Sequence, residues 1–204
     1  MARNITKKLL CGIGINDASY DVTITVQENG KNKIVWFCPF YLKWKNMISR
    51  CYSERVQQDS PAYLNCSVHN DWLTFSNFKA WMEQQDWEWM ELDKDILFPG
   101  NKIYSPDTCI FINSKINRFI TDSLSARGIW PVGVTIRKDG KSFISRCADI
   151  VTGRREYLGD YSTPEAAHEA WRRYKLSQAK AISKEIKDLR IVKALIARYE
   201  NSTY

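Results

Sequence analysis

The stretch GVTIRKDGKSFISRCADIVTGRREYLGDYSTPEAAHEAW, residues 133–171, decides the fold. It reads as three short strands, two turns and a helix. Residues 133–137 form the first strand, and Lys138-Asp139-Gly140-Lys141 carries the Asp-Gly pair that favours a tight hairpin turn. Residues 142–150 form the second strand, Val151-Thr152-Gly153 turns the chain again, and 154–158 form the third, closed by Gly159. Ser162-Thr163-Pro164-Glu165 then announces a helix: a hydroxyl accepts from free backbone N–H groups, proline suits the first turn, and glutamate opposes the helix dipole. Ala166, Ala167, Ala170, Trp171 and Tyr174 repeat at helical spacing. The expected unit is a three-stranded antiparallel sheet packed on one helix.

Side chains alternate between the two faces of a strand. Phe143, Ser145 and Cys147 therefore share one face of the second strand, and Ile144, Arg146 and Ala148 the other. If Phe143 packs the helix, Arg146 faces outward. On the third strand Leu158 goes with the core, which puts Arg155 and Tyr157 beside Arg146. Arg137, Arg146 and Arg155 then form a stripe on one sheet face. Arginine reads guanine edges and also pairs with phosphate. A merely solvated sheet face is the competing reading.

Pro131-Val132-Gly133-Val134, Tyr157-Leu158-Gly159 and Thr163-Pro164-Glu165-Ala166-Ala167-His168-Glu169-Ala170 give this stretch a family likeness. It resembles the DNA-binding domain of plant Apetala and ethylene-response-factor proteins, and more closely the copies of it in phage-borne homing endonucleases. The resemblance implies that the sheet, not the helix, lies in the major groove, and Arg137 matches a base-contacting arginine. Where Arg146 stands the family usually has an acidic residue, so no target sequence carries over.

Upstream, Tyr20, Val22, Ile24 and Val26 alternate before Glu28-Asn29-Gly30-Lys31, and residues 34–37 follow: a β-hairpin. Residues 40–57 read as a helix with Tyr41, Trp44, Met47, Ile48 and Cys51 on one side and Lys43, Lys45 and Arg50 on the other. A second helix fits 75–84, with Phe75, Phe78, Trp81 and Met82 on one face. The many aromatics (eight Trp, ten Tyr, eight Phe) are read first as core. Beyond Lys175 a last helix is expected to about Arg198, with Ile182, Ile186, Leu189, Val192 and Ile196 on one side and a row of lysines and arginines on the other. It is read as packing on its own domain, with homodimer pairing as the second reading.

ELDKDILFPGNKIYSPDTCIFINSKIN, residues 91–117, resembles the core of HNH nucleases, which precedes this sheet domain in many phage proteins. Cys51-Tyr52-Ser53 and Trp72-x-x-Phe75-Ser76-Asn77-Phe78 are similar to the lead-in of those proteins. The resemblance implies a strand pair and a helix gripping one Mg²⁺, with a histidine as general base for water. Asp93 stands at the metal position, Gly100-Asn101-Lys102 at the turn, and Asn117, with Asn113 second, at the closing metal-ligand position. Lys94 stands where the catalytic histidine belongs. An ammonium cannot take a proton from water and repels a metal ion. On a regular strand Asp93 and Asp95 would point the same way and could hold Mg²⁺ between them. The chain's two histidines, His69 and His168, offer few substitutes, and His168 is expected in a partly buried structural role.

The net charge of +7 suits a polyanionic partner, and the excess gathers in the C-terminal half. Cys11, Cys38, Cys51, Cys66, Cys109 and Cys147 contain no C-x-x-C spacing, so no zinc knuckle is signalled and reduced, mostly buried thiols are expected. The first residues are too polar for a signal peptide, and no window is long enough to span a membrane. The expected architecture is α+β: an N-terminal hairpin region (1–36), an HNH-like ββα region (37–120), a linker (121–130), the sheet-and-helix domain (131–177) and a basic amphipathic C-terminal helix (178–204). The expected function is double-stranded DNA binding on an HNH scaffold, with cleavage lost or reduced. A Mg²⁺-dependent nicking homing endonuclease is the alternative, and a phage protein that binds a host protein is another. The resemblance puts the chain in a bacterial host's cytoplasm.

Overall fold

The computed structural model describes residues 9–121 and 129–200 of the chain. The fold is α+β. The chain divides into two compact units, Met1–Asn113 and Ser114–Tyr204. The expected linker falls almost wholly on 122–128, outside the described residues.

The first unit opens with a ribbon of β1 (Thr23–Glu28) and β2 (Lys31–Phe37). Asn29 and Gly30 both have positive φ, 52° and 72°, and Glu28 pairs Lys31, the twist of a two-residue hairpin loop. Ile24, Val26, Ile34 and Trp36 are exposed on this ribbon. α1 (Pro39–Tyr52) starts on its proline and buries Trp44, Met47, Ile48 and Cys51. The single helix expected over 40–57 is two, because Ser53 takes an extended conformation before α2 (Glu54–Asp59). β3 (Ser67–Val68) pairs in parallel with β5 (Ile103–Tyr104). α3 (Phe75–Met82) buries Phe75, Phe78 and Met82, and β4 (Met90–Asp93) pairs antiparallel with β6 (Ile110–Asn113).

The aromatics serve the core. Trp44 is fully buried because its indole N–H donates to the Trp72 carbonyl at 2.7 Å, leaving no unsatisfied donor. Trp72 meets Phe78 edge-on at 5.1 Å, and Trp81 stacks on Phe111 at 5.7 Å. All six cysteines are free thiols; Cys11 is exposed and the other five are buried.

The second unit contains α4 (Ser114–Ile120), β7 (Val134–Ile136), β8 (Phe143–Ala148), β9 (Arg155–Tyr161), α5 (Pro164–Ile182) and α6 (Leu189–Glu200). The sheet runs β7-β8-β9, antiparallel throughout, as expected. Thr163 Oγ1 caps α5 by accepting from the Ala166 N–H at 3.2 Å, and Pro164 occupies the first turn. Val134, Ser145 and Cys147 are buried, as are Ala167 and Trp171 on α5, which packs on β7 and β8. Gly133 makes this approach possible: its φ is +80°, and a Cβ there would lie 2.1 Å from Trp171 Cδ1. His168 Nδ1–H donates to the Val132 carbonyl at 2.9 Å and the ring stacks on Trp171, the structural role expected of it.

Two further expectations change. Phe143 is only half-buried, packing edge-on against Trp130 at 4.9 Å; the fully buried positions of β8 are Ser145 and Cys147. The last helix is broken: α5 ends at Ile182, a short turn follows, and Asp188 starts α6 by accepting from the Arg190 N–H at 2.8 Å. The first compact unit ends at Asn113 and the second begins with α4 at Ser114. α4 is tied to the later helices, with Lys175 Nζ and Arg198 Nη2 donating to the Phe119 and Ile120 carbonyls at 2.7 and 3.0 Å. α6 lays Tyr199 against Phe119 and Trp171 and buries Ile191 and Leu195 within the unit. Among the described residues no helix is long and apolar enough to cross a membrane.

Candidate functional site

The acidic turn of the first unit begins where β4 ends. Asp93 pairs Ile110 across the ladder, but its side chain turns back on the chain: Oδ1 accepts from the N–H groups of Asp95 and Ile96 at 2.9 and 2.7 Å. That bond folds the backbone after residue 93, so Asp95 leaves the strand and does not share a strand face with Asp93. Lys94 is buried, and its ammonium donates to Asp95 Oδ2 at 2.8 Å. Asn101 closes the turn, donating from Nδ2 to the carbonyls of Lys94 and Ile103, both at 2.7 Å.

These contacts set the charges. Burial pushes the Lys94 pKa down, but the hydrogen bond and charge of Asp95 outweigh it and hold the group above its ordinary range. Asp95 thus holds Lys94 in its ammonium form. Asp93 is pushed up, first by burial and then by the Asp95 charge, against the pull of the two amides. Asn113 pairs Met90, three rungs from Asp93 and roughly 10 Å along the strand. Asn117 lies on α4, in the other compact unit. His69 is exposed and caps a short turn, accepting from the Asp71 N–H at Nδ1.

The donor set does not fit Mg²⁺ as it stands. One carboxylate is held by an ammonium, the other braces two backbone amides, and a hard dication wants several free oxygens. Among the described residues no three His, Cys, Asp or Glu side chains converge as a metal site.

The sheet of the second unit offers a different surface. The β8–β9 register slips between Ser145 and Arg146, so that Ser145 faces Gly159 while Arg146 faces Tyr157 and Ala148 faces Arg155. This bulge puts Arg146, Arg155 and Tyr157 on the face turned from α5, where all three are exposed. Arg137 joins it beyond β7, its N–H bonded to the Ser142 carbonyl. The face also gains a residue the alternation rule missed. The third strand runs on to Tyr161 instead of closing at Leu158, and the bulge returns Asp160 to the open side opposite Ile144. Asp160 Oδ2 takes the Arg137 guanidinium at 2.5 Å, and Asp139 lies 3.6 Å from the same group. The Tyr157 phenol is held above its ordinary range, by desolvation first and the Asp160 carboxylate next, with Arg137 and Arg146 pulling it down. The four expected residues are thus gathered on one face, and among the described residues Arg137 is the one tied to acids.

Charge separates the units. Residues 114–204 hold 18 Lys and Arg against 10 Asp and Glu, a net of +8; residues 1–113 hold 12 against 13, a net of −1. Compared with protein-family models, with curated proteins and with solved structures, the chain finds no match in any of the three.

Proposed function

We propose that this chain binds double-stranded DNA through the open face of the β7–β8–β9 sheet, and that the acidic turn around Asp93 braces the first unit instead of cutting DNA. One observation carries the reading: strand register gathers Arg137, Arg146, Arg155 and Tyr157 on the sheet face away from α5, in a unit of net charge +8. A major groove admits β-strands, and arginine there pairs with guanine edges and phosphates. Support for the second half comes from Lys94, an ammonium at the position where cleavage would need a base.

The test is a salt titration of duplex affinity with wild type and with Arg137, Arg146 and Arg155 all changed to Ala. Three lost cationic contacts lower the slope of log affinity against log salt by about 2–3. An unchanged slope and affinity removes the sheet face from the reading, and absence of salt-dependent affinity in the wild type favours a protein partner. A parallel plasmid-nicking assay with Mg²⁺, compared with Asp93→Ala, is expected to show no metal-dependent cutting. Nicking that disappears in the variant would make the turn a live nuclease site.

A further inference from the structure

The open sheet face holds a carboxylate at its centre. Thr135 on β7, Ile144 on β8 and Asp160 on β9 stand on one rung of the sheet, and Thr135 and Asp160 are exposed. Arg137 starts just past the end of β7, on the far side of β8 from Asp160. Two strand spacings, roughly 10 Å, separate the outer strands. The Arg137 side chain crosses that distance and donates from Nη1 to Asp160 Oδ2 at 2.5 Å. Its guanidinium therefore lies across the middle of the face. Asp139, in the turn after β7, stands 3.6 Å from Nε of the same group, while its other oxygen accepts from the Lys141 N–H at 3.1 Å.

An acid here works against phosphate binding, because it repels the DNA backbone and cancels part of the Arg137 charge. What it adds is geometry. An arginine already bonded at Nη1 is held in one orientation before it meets a ligand, so less side-chain entropy is lost on binding. An ionised carboxylate only accepts, and it has about four lone-pair sites, of which Arg137 takes one. The pair thus presents donors and an acceptor side by side in a fixed order. Base pairs in the major groove differ in that order. A G·C pair shows two acceptors, guanine N7 and O6, followed by the cytosine N4 amino donor. An A·T pair places its amino donor between two acceptors, so a guanidinium fork laid on it sets N–H against N–H.

We propose that Asp160 is a specificity-determining residue of the sheet face: its carboxylate accepts from the N4 amino group of a cytosine, while Arg137, held beside it, donates to the guanine of the same base pair. The inference rests on the DNA reading and deepens it, since it names a G·C pair as what this part of the face prefers. Asp160 lowers affinity for DNA in general and returns it at the duplexes that offer an amino group to its carboxylate.

The test uses the full chain. Wild type, Asp160→Ala and Arg137→Lys, which keeps the charge but not the fork, each select duplexes from a randomised pool. Affinities are then measured on the wild-type site with cytosine or N4-methylcytosine in the selected pair; the methyl group takes the place of the amino hydrogen that faces the groove. Wild type should enrich G·C at one position, and both variants should lose roughly 5- to 150-fold of discrimination there. The methyl group should weaken wild type and leave Asp160→Ala unchanged. The wild-type arm and Arg137→Lys decide the matter even where Asp160→Ala does not fold. Duplex binding without base preference, a G·C preference kept in Asp160→Ala, or a methyl group that affects wild type and Asp160→Ala alike overturns the contact and leaves the DNA reading standing. No enriched duplex and no salt-dependent affinity in wild type discards the DNA reading, and the contact with it.

Discussion

Two clusters of charged residues stand out in this chain, and they behave in opposite ways. In the turn after β4, Asp93, Lys94, Asp95 and Asn101 all point into the local structure: one carboxylate holds two amides, the other holds the lysine, and the asparagine joins two carbonyls. On the β7–β8–β9 sheet, Arg146 and Arg155 point outward, and among the described residues acids answer Arg137 alone. The first cluster lies in a unit of net charge −1 and the second in a unit of +8. Residue types that suggest chemistry in a sequence are equally good at closing a turn. What separates the uses is whether the donors and acceptors are already paired inside the fold.

Breaking the sheet unit at its tightest point gives the largest effect. Gly133→Ala adds left-handed backbone strain and drives a methyl into Trp171, so roughly 2–5 kcal/mol should be lost. Hydrogen exchange should rise across 129–200 and much less across 9–113; uniform change in both would mean the units do not fold as separate bodies. Lys94→Met tests the turn. It leaves Asp95 without its partner, and because Asp95 is itself partly exposed the expected loss in a thermal melt is about 1–3 kcal/mol, well short of a fully buried pair. Lys94→His restores the residue that the nuclease resemblance implies and should still give no Mg²⁺-dependent nicking, since Asp93 remains committed to its two amides.

A pH titration sharpens the contrast within the second unit. The guanidiniums of Arg172 and Arg173 hold Glu169 down to about 2, and Arg172 also donates to the carbonyls of Tyr199 and Glu200 on α6. A depressed carboxyl stabilises the fold above its unfolded value of about 4.5 and loses that contribution as pH falls through its folded value. The melting temperature should therefore drop between about pH 4.5 and 2, and Glu169→Gln should remove that part of the slope. The smallest effect belongs to Ser145, fully buried with a hydroxyl that has no hydrogen-bond partner among the described residues. Ser145→Ala should stabilise by about 1 kcal/mol in a denaturant melt; a loss would reveal a bond this hydroxyl makes.

The second unit was largely legible in the sequence because its signals are local. The Asp-Gly turn, the Thr163 cap, Pro164 and the alanine-rich helix face each act within a few residues, and all are found where the sequence puts them. The open face was legible through alternation up to Tyr157. Asp160 was not, because one bulge reverses parity and a bulge is fixed by cross-strand pairing, with Gly159 its only local hint. The break before α6 did carry a sign in Asp188, a good helix-capping residue that the apolar repeat on either side hides. The acidic turn misled for a different reason. Asp93 and Asp95 share a parity only if the strand continues, and the side chain of Asp93 is what ends it.

The thiols give the molecule a counter for its own unfolding. Burial holds Cys51 and Cys109 up to about 12, far from the thiolate that alkylating reagents attack, while Cys11 stands at the surface. A maleimide added to the native chain should modify one cysteine, and each further mass increment should mark a region that has opened: Cys147 for the sheet unit, Cys38, Cys51, Cys66 and Cys109 for the aromatic core. The chain thus carries, without any engineered probe, a separate chemical record of when each of its two halves lets water in.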